Sequence, residues 1–191
     1  KLSKNTVQPK TQAFIQNIHH FRDEYVDTDA VPLEKVVVFD EAQRAWDKEQ
    51  ASAFMQQKKG KANFEQSEPE FLIEVMNRHQ GWCVVVCLIG GGQEINKGEA
   101  GISEWIAALQ TRFTDWSVHY SAQIEQQAVY LSSEAQKAWL RAHAHEETEL
   151  HLAVSVRSFR SEAVAQYVEC VLAGLAAQAQ DLYPTIEQAG F

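Results

Sequence analysis

Apolar side chains recur along this chain in two rhythms. Phe14, Ile15, Ile18, Phe21 and Tyr25 share one face of a helix expected over residues 11–25, and Pro32 then breaks the chain. Residues 35–39, Lys-Val-Val-Val-Phe, are a short β-branched run apolar on both faces, as a central parallel strand is. A helix is expected from Ala42 into the region of Met55, followed by a polar loop over 56–61 around Gly60. Ser67 with Glu70 is a capping-box signature and predicts a helix with Phe71, Leu72, Val75 and Met76 as its buried stripe. Residues 83–89 form a second fully apolar strand that stops at Gly90-Gly91-Gly92. Ser103 is the expected cap of a helix carrying Trp105, Ile106, Leu109 and Phe113, and Ser133 that of one carrying Trp139 and Leu140. Residues 117–120 and 128–131 read as short extended pieces, and 151–156 as a strand with Leu152, Val154 and Val156 on one side. The last helix starts near Ser161 and carries Val164, Val168, Val171, Leu172 and Leu175. Strands alternating with helices predict an α/β fold, an open, mostly parallel sheet with helices on both faces.

Composition narrows this picture. The 191 residues suit one ordinary domain, and 45% apolar content supplies a core. Seventeen Lys+Arg against 26 Asp+Glu give a net charge of −9, a poor basis for non-specific binding to a phosphate backbone unless a local basic groove exists. The longest apolar run, 82–89, is far too short for a membrane span, so no membrane partner is expected. Cys83, Cys87 and Cys170 are an odd count, Cys83 and Cys87 within an apolar run; this argues against a disulfide scaffold and for a reducing, cytoplasmic setting. The first residues resemble no signal peptide and include no starting Met, so a fragment of a longer protein is expected.

Three segments carry candidate chemistry. In Val-Val-Val-Phe-Asp-Glu-Ala-Gln-Arg, residues 36–44, Asp40 and Glu41 stand where an apolar strand gives way to a helix. Carboxyl ends of parallel strands are where α/β proteins place ligands. The pattern is that of a Walker B motif, in which the first acid holds Mg²⁺, usually through water, and the second activates an attacking water. The same acids would also complement the first turn of a helix. The second segment, 89–101, opens with Gly90, Gly91 and Gly92, which let a ligand approach the backbone, and presents Gln93, whose amide can bond a phosphate oxygen and a water. It is neither a phosphate-binding P-loop nor a dinucleotide fingerprint, and a plain turn is the simpler account. The third, 154–160, brings Arg157 and Arg160 out at a strand end, where they suit bidentate phosphate contacts or surface salt bridges.

The order Asp-Glu-x-Gln-Arg, Gly-x-x-Gln-Glu-Ile and strand-Arg-Ser resembles motifs II, III and IV of superfamily-1 helicases of the UvrD/Rep type. More closely, residues 40–46, 90–105 and 156–160 resemble the signatures of a bacterial family of helicase-like P-loop ATPases, of the schlafen- or nuclease-associated type, over about residues 2–183. The resemblance implies a three-layer RecA-like core spanning residues 1–191, with motif II at 36–44, a motif III-like segment at 89–101 and a motif IV-like segment at 154–160. It implies Asp40 as the Mg²⁺ residue, Glu41 as catalytic base, Gln93 as γ-phosphate sensor and Arg157 as the residue stabilising the transferred phosphoryl group. Arg160 and the Gly90, Gly91 and Gly92 backbone would assist in binding ATP. Gly91 stands where the UvrD/Rep type usually carries Asp.

No Gly-x-x-x-x-Gly-Lys-Ser/Thr occurs in the sequence, so the P-loop strand is expected to be missing and the acids to form half a site, inactive alone. The open slot beside residues 83–89 would be closed by residues 151–156 or filled by a second copy in a dimer, closure being favoured. Three functions stay open: the motor of an ATP-dependent helicase on single- or double-stranded nucleic acid, an ATPase switch for an attached nuclease or defence domain, and a non-catalytic interaction domain. The cluster of His143, His145 and His151 with Glu146, Glu147 and Glu149 lacks His-Glu-x-x-His spacing and reads as a solvated acidic loop. The five tryptophans read as core, and Lys58-Lys59-Gly60-Lys61 as a solvated loop.

Overall fold

A computed structural model describes residues 18–60, 64–90, 98–127, 130–152 and 162–188. They form a mixed α/β structure with short parallel sheets, in two compact units, residues 1–147 and 148–191.

The first unit is built on strands β1 (Val36–Phe39) and β2 (Val84–Cys87), paired in parallel from Val36↔Val84 to Phe39↔Cys87. Side chains alternate across a strand, so Val37, Phe39, Val85 and Cys87 turn to one face. There they meet helices α1 (Ile18–Tyr25), α3 (Glu68–Met76) and α4 (Gly101–Thr111), which contribute Phe21, Leu72, Met76 and Trp105 to the core. The opposite face was expected to be buried as well. Instead Val36, Val38, Val84 and Val86 are 50%, 57%, 42% and 37% exposed. Trp82, read as core, is also exposed, its ring 4.9 Å from Lys35 Nζ.

The helix expected from Ala42 is two elements. A 3-10 turn, Ala42–Arg44, is followed by extended backbone at Ala45 and Trp46, and α2 (Lys48–Lys59) begins only after Asp47 accepts a hydrogen bond from the Gln50 amide. Tertiary pairing causes the break: Trp46 forms an antiparallel bridge with Glu99, Asp47 N donates to Gly98 O, and Ala100 N donates to Ala45 O. Residues 56–59, read as loop, finish α2, and Gly60 closes it at φ +67°, a left-handed conformation that glycine adopts without penalty. Ser67 caps α3 as expected, its hydroxyl accepting from Glu70 N at 3.3 Å. Ser103 caps nothing: α4 starts two residues earlier, at Gly101, where Ala100 is already tied down.

Helix α4 serves two cores. Trp105 and Ala108 belong to the sheet side, whereas Ile102 and Ile106 pack with Tyr120, Leu131 and Leu140. This second cluster draws on β3 (His119–Tyr120), α5 (Gln123–Gln126) and α6 (Glu134–His143), the last capped by Ser133 as expected, while β4 (His145–Glu146) is exposed beside it. β3 and β4 pair in parallel, His119↔His145 and Tyr120↔Glu146. The histidine and glutamate cluster is therefore not a loop throughout: His143 ends α6, His145 and Glu146 form β4, and Glu149 lies in a 3-10 turn, Thr148–Leu150. Of the piece expected over 128–131, residues 128 and 129 lie outside the described residues; Tyr130 is a turn and Leu131 is buried.

The second unit is a helical hairpin of α7 (Glu162–Leu172) and α8 (Ala176–Gln188), reversed at Gly174 with φ +72°. Leu175 lies in this connection, not in the last helix as expected. His151 and Leu152 are irregular, and residues 153–156 of the expected strand lie outside the described residues, as does the start of the helix expected at residue 11. Among the described residues no helix is long and apolar enough to cross a membrane.

Candidate functional site

Parallel pairing puts the carboxyl ends of β1 and β2 side by side, and with them Asp40 and Gly90. The chain leaves β1 through a turn whose first bonds are local: Asp40 Oδ1 accepts from Glu41 N at 3.0 Å. The next cross to β2, where Leu88 N donates to Phe39 O and Ala42 N donates to Leu88 O, both at 2.9 Å. To make this turn Glu41 adopts φ 52° and ψ 43°, the one left-handed non-glycine residue among those described. Such a conformation costs a side-chain-bearing residue roughly 1–2 kcal/mol and is found disproportionately at functional sites.

The Glu41 carboxylate is held at the rim. Its Oε2 accepts from Gln43 Nε2 and lies 3.7 Å from Arg44 Nε. Gln43, itself buried, turns its other end to the second strand, where its Oε1 accepts from Gly90 N at 3.4 Å. A Cβ at Gly90 would sit 3.3 Å from Glu41 Oε2 and 3.6 Å from Gln43 Nε2. Gly90 therefore permits the close approach of the two segments expected to act together. Asp40 is exposed, so its hard carboxylate oxygens face solvent. Gly91, Gly92, Gln93, Arg157 and Arg160 lie outside the described residues.

The long second motif is joined to the first at both ends. Gly90 meets Gln43, Gly98 and Ala100 bond the backbone of residues 45–47, and Trp105 Nε1 donates to Ala42 O at 2.9 Å from a buried position. Gly98, at φ +90°, is required twice, since a Cβ there would lie 3.0 Å from the Gln50 side chain. Sequence reasoning assigned no role to Gln43 or Gly98, although both stand within the quoted signatures. It also missed Glu68, whose side-chain partners His19, Arg22 and Trp46 are remote in sequence.

Burial pushes the Cys87 thiol up to about 12. Cys87 is free and sits on the inward face of β2. Its thiolate, the nucleophilic form, is scarce near neutrality. Native protein treated with iodoacetamide at pH 7.5 is therefore expected to leave Cys87 unmodified by peptide mass mapping, and unfolding in urea to expose it to full reaction.

The sequence sets the class of this mixed α/β unit, with its adjacent acids at the end of β1: a helicase-like domain. The sequence matches, over residues 1–191, the profile of the family described as Schlafen group 3, DNA/RNA helicase domain, and the chain belongs to that family. No curated protein matches the sequence, and no solved structure matches the fold.

Proposed function

We propose that this chain supplies the hydrolytic half of an ATP site in a helicase-like ATPase that acts on nucleic acid, built on a RecA-like core. One observation carries the reading: Asp40 and the left-handed Glu41 stand at the end of β1, with Gly90, just beyond the end of the neighbouring parallel strand, against the Glu41 carboxylate. An exposed aspartate at a strand end fits a magnesium ion held through water, because that ion takes hard oxygen ligands and keeps part of its hydration. When bound, Mg²⁺ would neutralise charge on the ATP phosphates. Glu41 accepts a proton from the attacking water, and Gln43 and Arg44 hold its carboxylate toward the rim. Gln93 senses the γ-phosphate, Arg157 stabilises its developing charge, and Arg160 with the glycine backbone assists binding.

The sequence holds no phosphate-cradling Gly-x-x-x-x-Gly-Lys-Ser/Thr loop, and in this reading a separate segment supplies it. Titration calorimetry of the 191-residue chain is accordingly expected to detect weak MgATP binding or none; tight, Mg²⁺-dependent binding would refute the half-site reading. The function itself is tested by ATP hydrolysis in a longer polypeptide containing these residues, with and without single-stranded DNA or RNA. Stimulation by nucleic acid supports a motor. Hydrolysis without stimulation would favour a switch, and no hydrolysis in a protein carrying the loop would end the ATPase reading.

A further inference from the structure

We propose that Glu68 is a positioning residue for the turn that carries Glu41, acting through Trp46 together with Arg22 and His19; the proposal rests on the reading of Glu41 as the base. Glu68, the first residue of α3, is completely buried, and Arg22 on α1 is 1% exposed. Glu68 Oε1 accepts from Arg22 Nη1 at 3.0 Å and lies 2.8 Å from His19 Nδ1, while Oε2 accepts from Trp46 N at 2.9 Å. The Glu68 amide donates to Trp46 O at 2.9 Å. One residue thus holds both main-chain polar groups of Trp46. The indole is held as well: Arg22 Cζ lies 5.0 Å from its ring centroid and 4.8 Å from that of Phe54, and the His19 ring lies 4.3 Å from it. Asp23 completes the set, accepting from Arg22 Nε and Nη2 at 3.0 and 2.7 Å.

Packing alone does not call for this arrangement. Buried ionic groups can often be replaced by well-packed apolar ones without loss of stability. What ions and hydrogen bonds add is direction, and here Glu68 bonds the Trp46 amide directly and also holds the Arg22 and His19 side chains that lie against the Trp46 indole. Between Trp46 and Glu41 runs the 3-10 turn, with Arg44 N donating to Glu41 O and Ala45 N to Ala42 O. At its other end Ala42 N is bonded to Leu88 O. The left-handed Glu41 is therefore strung between two anchors, β2 on one side and Glu68 on the other. Loosening the second lets Glu41 relax toward ordinary backbone angles and swings its carboxylate from the rim.

The experiment is hydrogen–deuterium exchange on the 191-residue chain, comparing wild type with Glu68→Gln and His19→Ala. Glu68→Gln removes the charge opposite Arg22 and turns an amide N–H toward other donors; His19→Ala removes one donor from a half-exposed position and should fold readily. Amides of residues 42–46 are expected to exchange at least about tenfold faster in Glu68→Gln and several-fold faster in His19→Ala, with β2 and α6 unchanged. If Glu68→Gln fails to fold, His19→Ala decides. Unchanged exchange at 42–46, or a rise spread evenly over β2 and α6, overturns the proposal. A second reading uses a longer polypeptide that hydrolyses ATP: with kcat normalised to the MgATP-binding sites counted by titration, His19→Ala should lower kcat and leave KM for MgATP within about twofold, and an unchanged normalised kcat overturns the proposal. If Glu41 is not the base, Glu41→Gln will be active there, yet the exchange result will still report on the clamp.

Discussion

Glu41→Gln, made in a longer polypeptide that joins these residues to a phosphate-cradling loop, is expected to abolish ATP turnover and leave MgATP binding nearly intact. A positioned general base contributes about 10²–10⁴-fold, so steady-state hydrolysis should fall into that range or to background. Glutamine keeps the shape and still hydrogen-bonds Gln43, but its amide cannot take a proton from water at neutral pH. The left-handed backbone at residue 41 is no less accessible to glutamine than to glutamate, so the turn between β1 and the 3-10 turn should persist. Turnover is measured by phosphate release and binding by fluorescent-nucleotide titration. Wild-type turnover in the variant removes Glu41 from the mechanism.

The second large effect is on stability. Trp105→Ala is expected to destabilise the first unit by about 3–5 kcal/mol, the range for truncating a buried Phe or Trp. Trp105 is 6% exposed, its ring lies 5.8 Å from that of Phe39, and its indole N–H donates to Ala42 O. Trp105→Phe separates the two contributions. It keeps most of the packing and loses the hydrogen bond, a loss of about 1 kcal/mol. Urea unfolding followed by circular dichroism reads both. Equal losses in the two variants would mean that the bond to Ala42, not the packing, carries the effect.

Asp40 and Glu41 were legible because a β-branched run followed by adjacent acids is a local pattern, and β1 ends where that pattern said it would. Ser67 and Ser133 were legible because a cap acts over three residues. Ala45 and Trp46 were not: their neighbours read as helix, and the break comes from Gly98, Glu99 and Ala100, some fifty residues away. The role of Glu68 was hidden for the same reason, since its partners His19, Arg22 and Trp46 are remote in sequence.

The sequence by itself determined the α/β alternation, the apolar strands, the helix caps and the family signatures, because periodicity, capping and motif spacing are properties of short stretches of chain. The parallel pairing of β1 and β2 follows the expected mostly parallel sheet, and only the tertiary structure decided its register and that one face of the pair stays exposed. It likewise decided that Glu41 is left-handed, and that Gln43, Gly90, Gly98 and Trp105 lock the two motifs together. The reason is physical. A strand's hydrophobicity shows that it can be buried on both faces, but which face is covered depends on what packs there. A residue's backbone angles at a turn are set by the long-range hydrogen bonds that close it, and no local pattern encodes the partner at the other end.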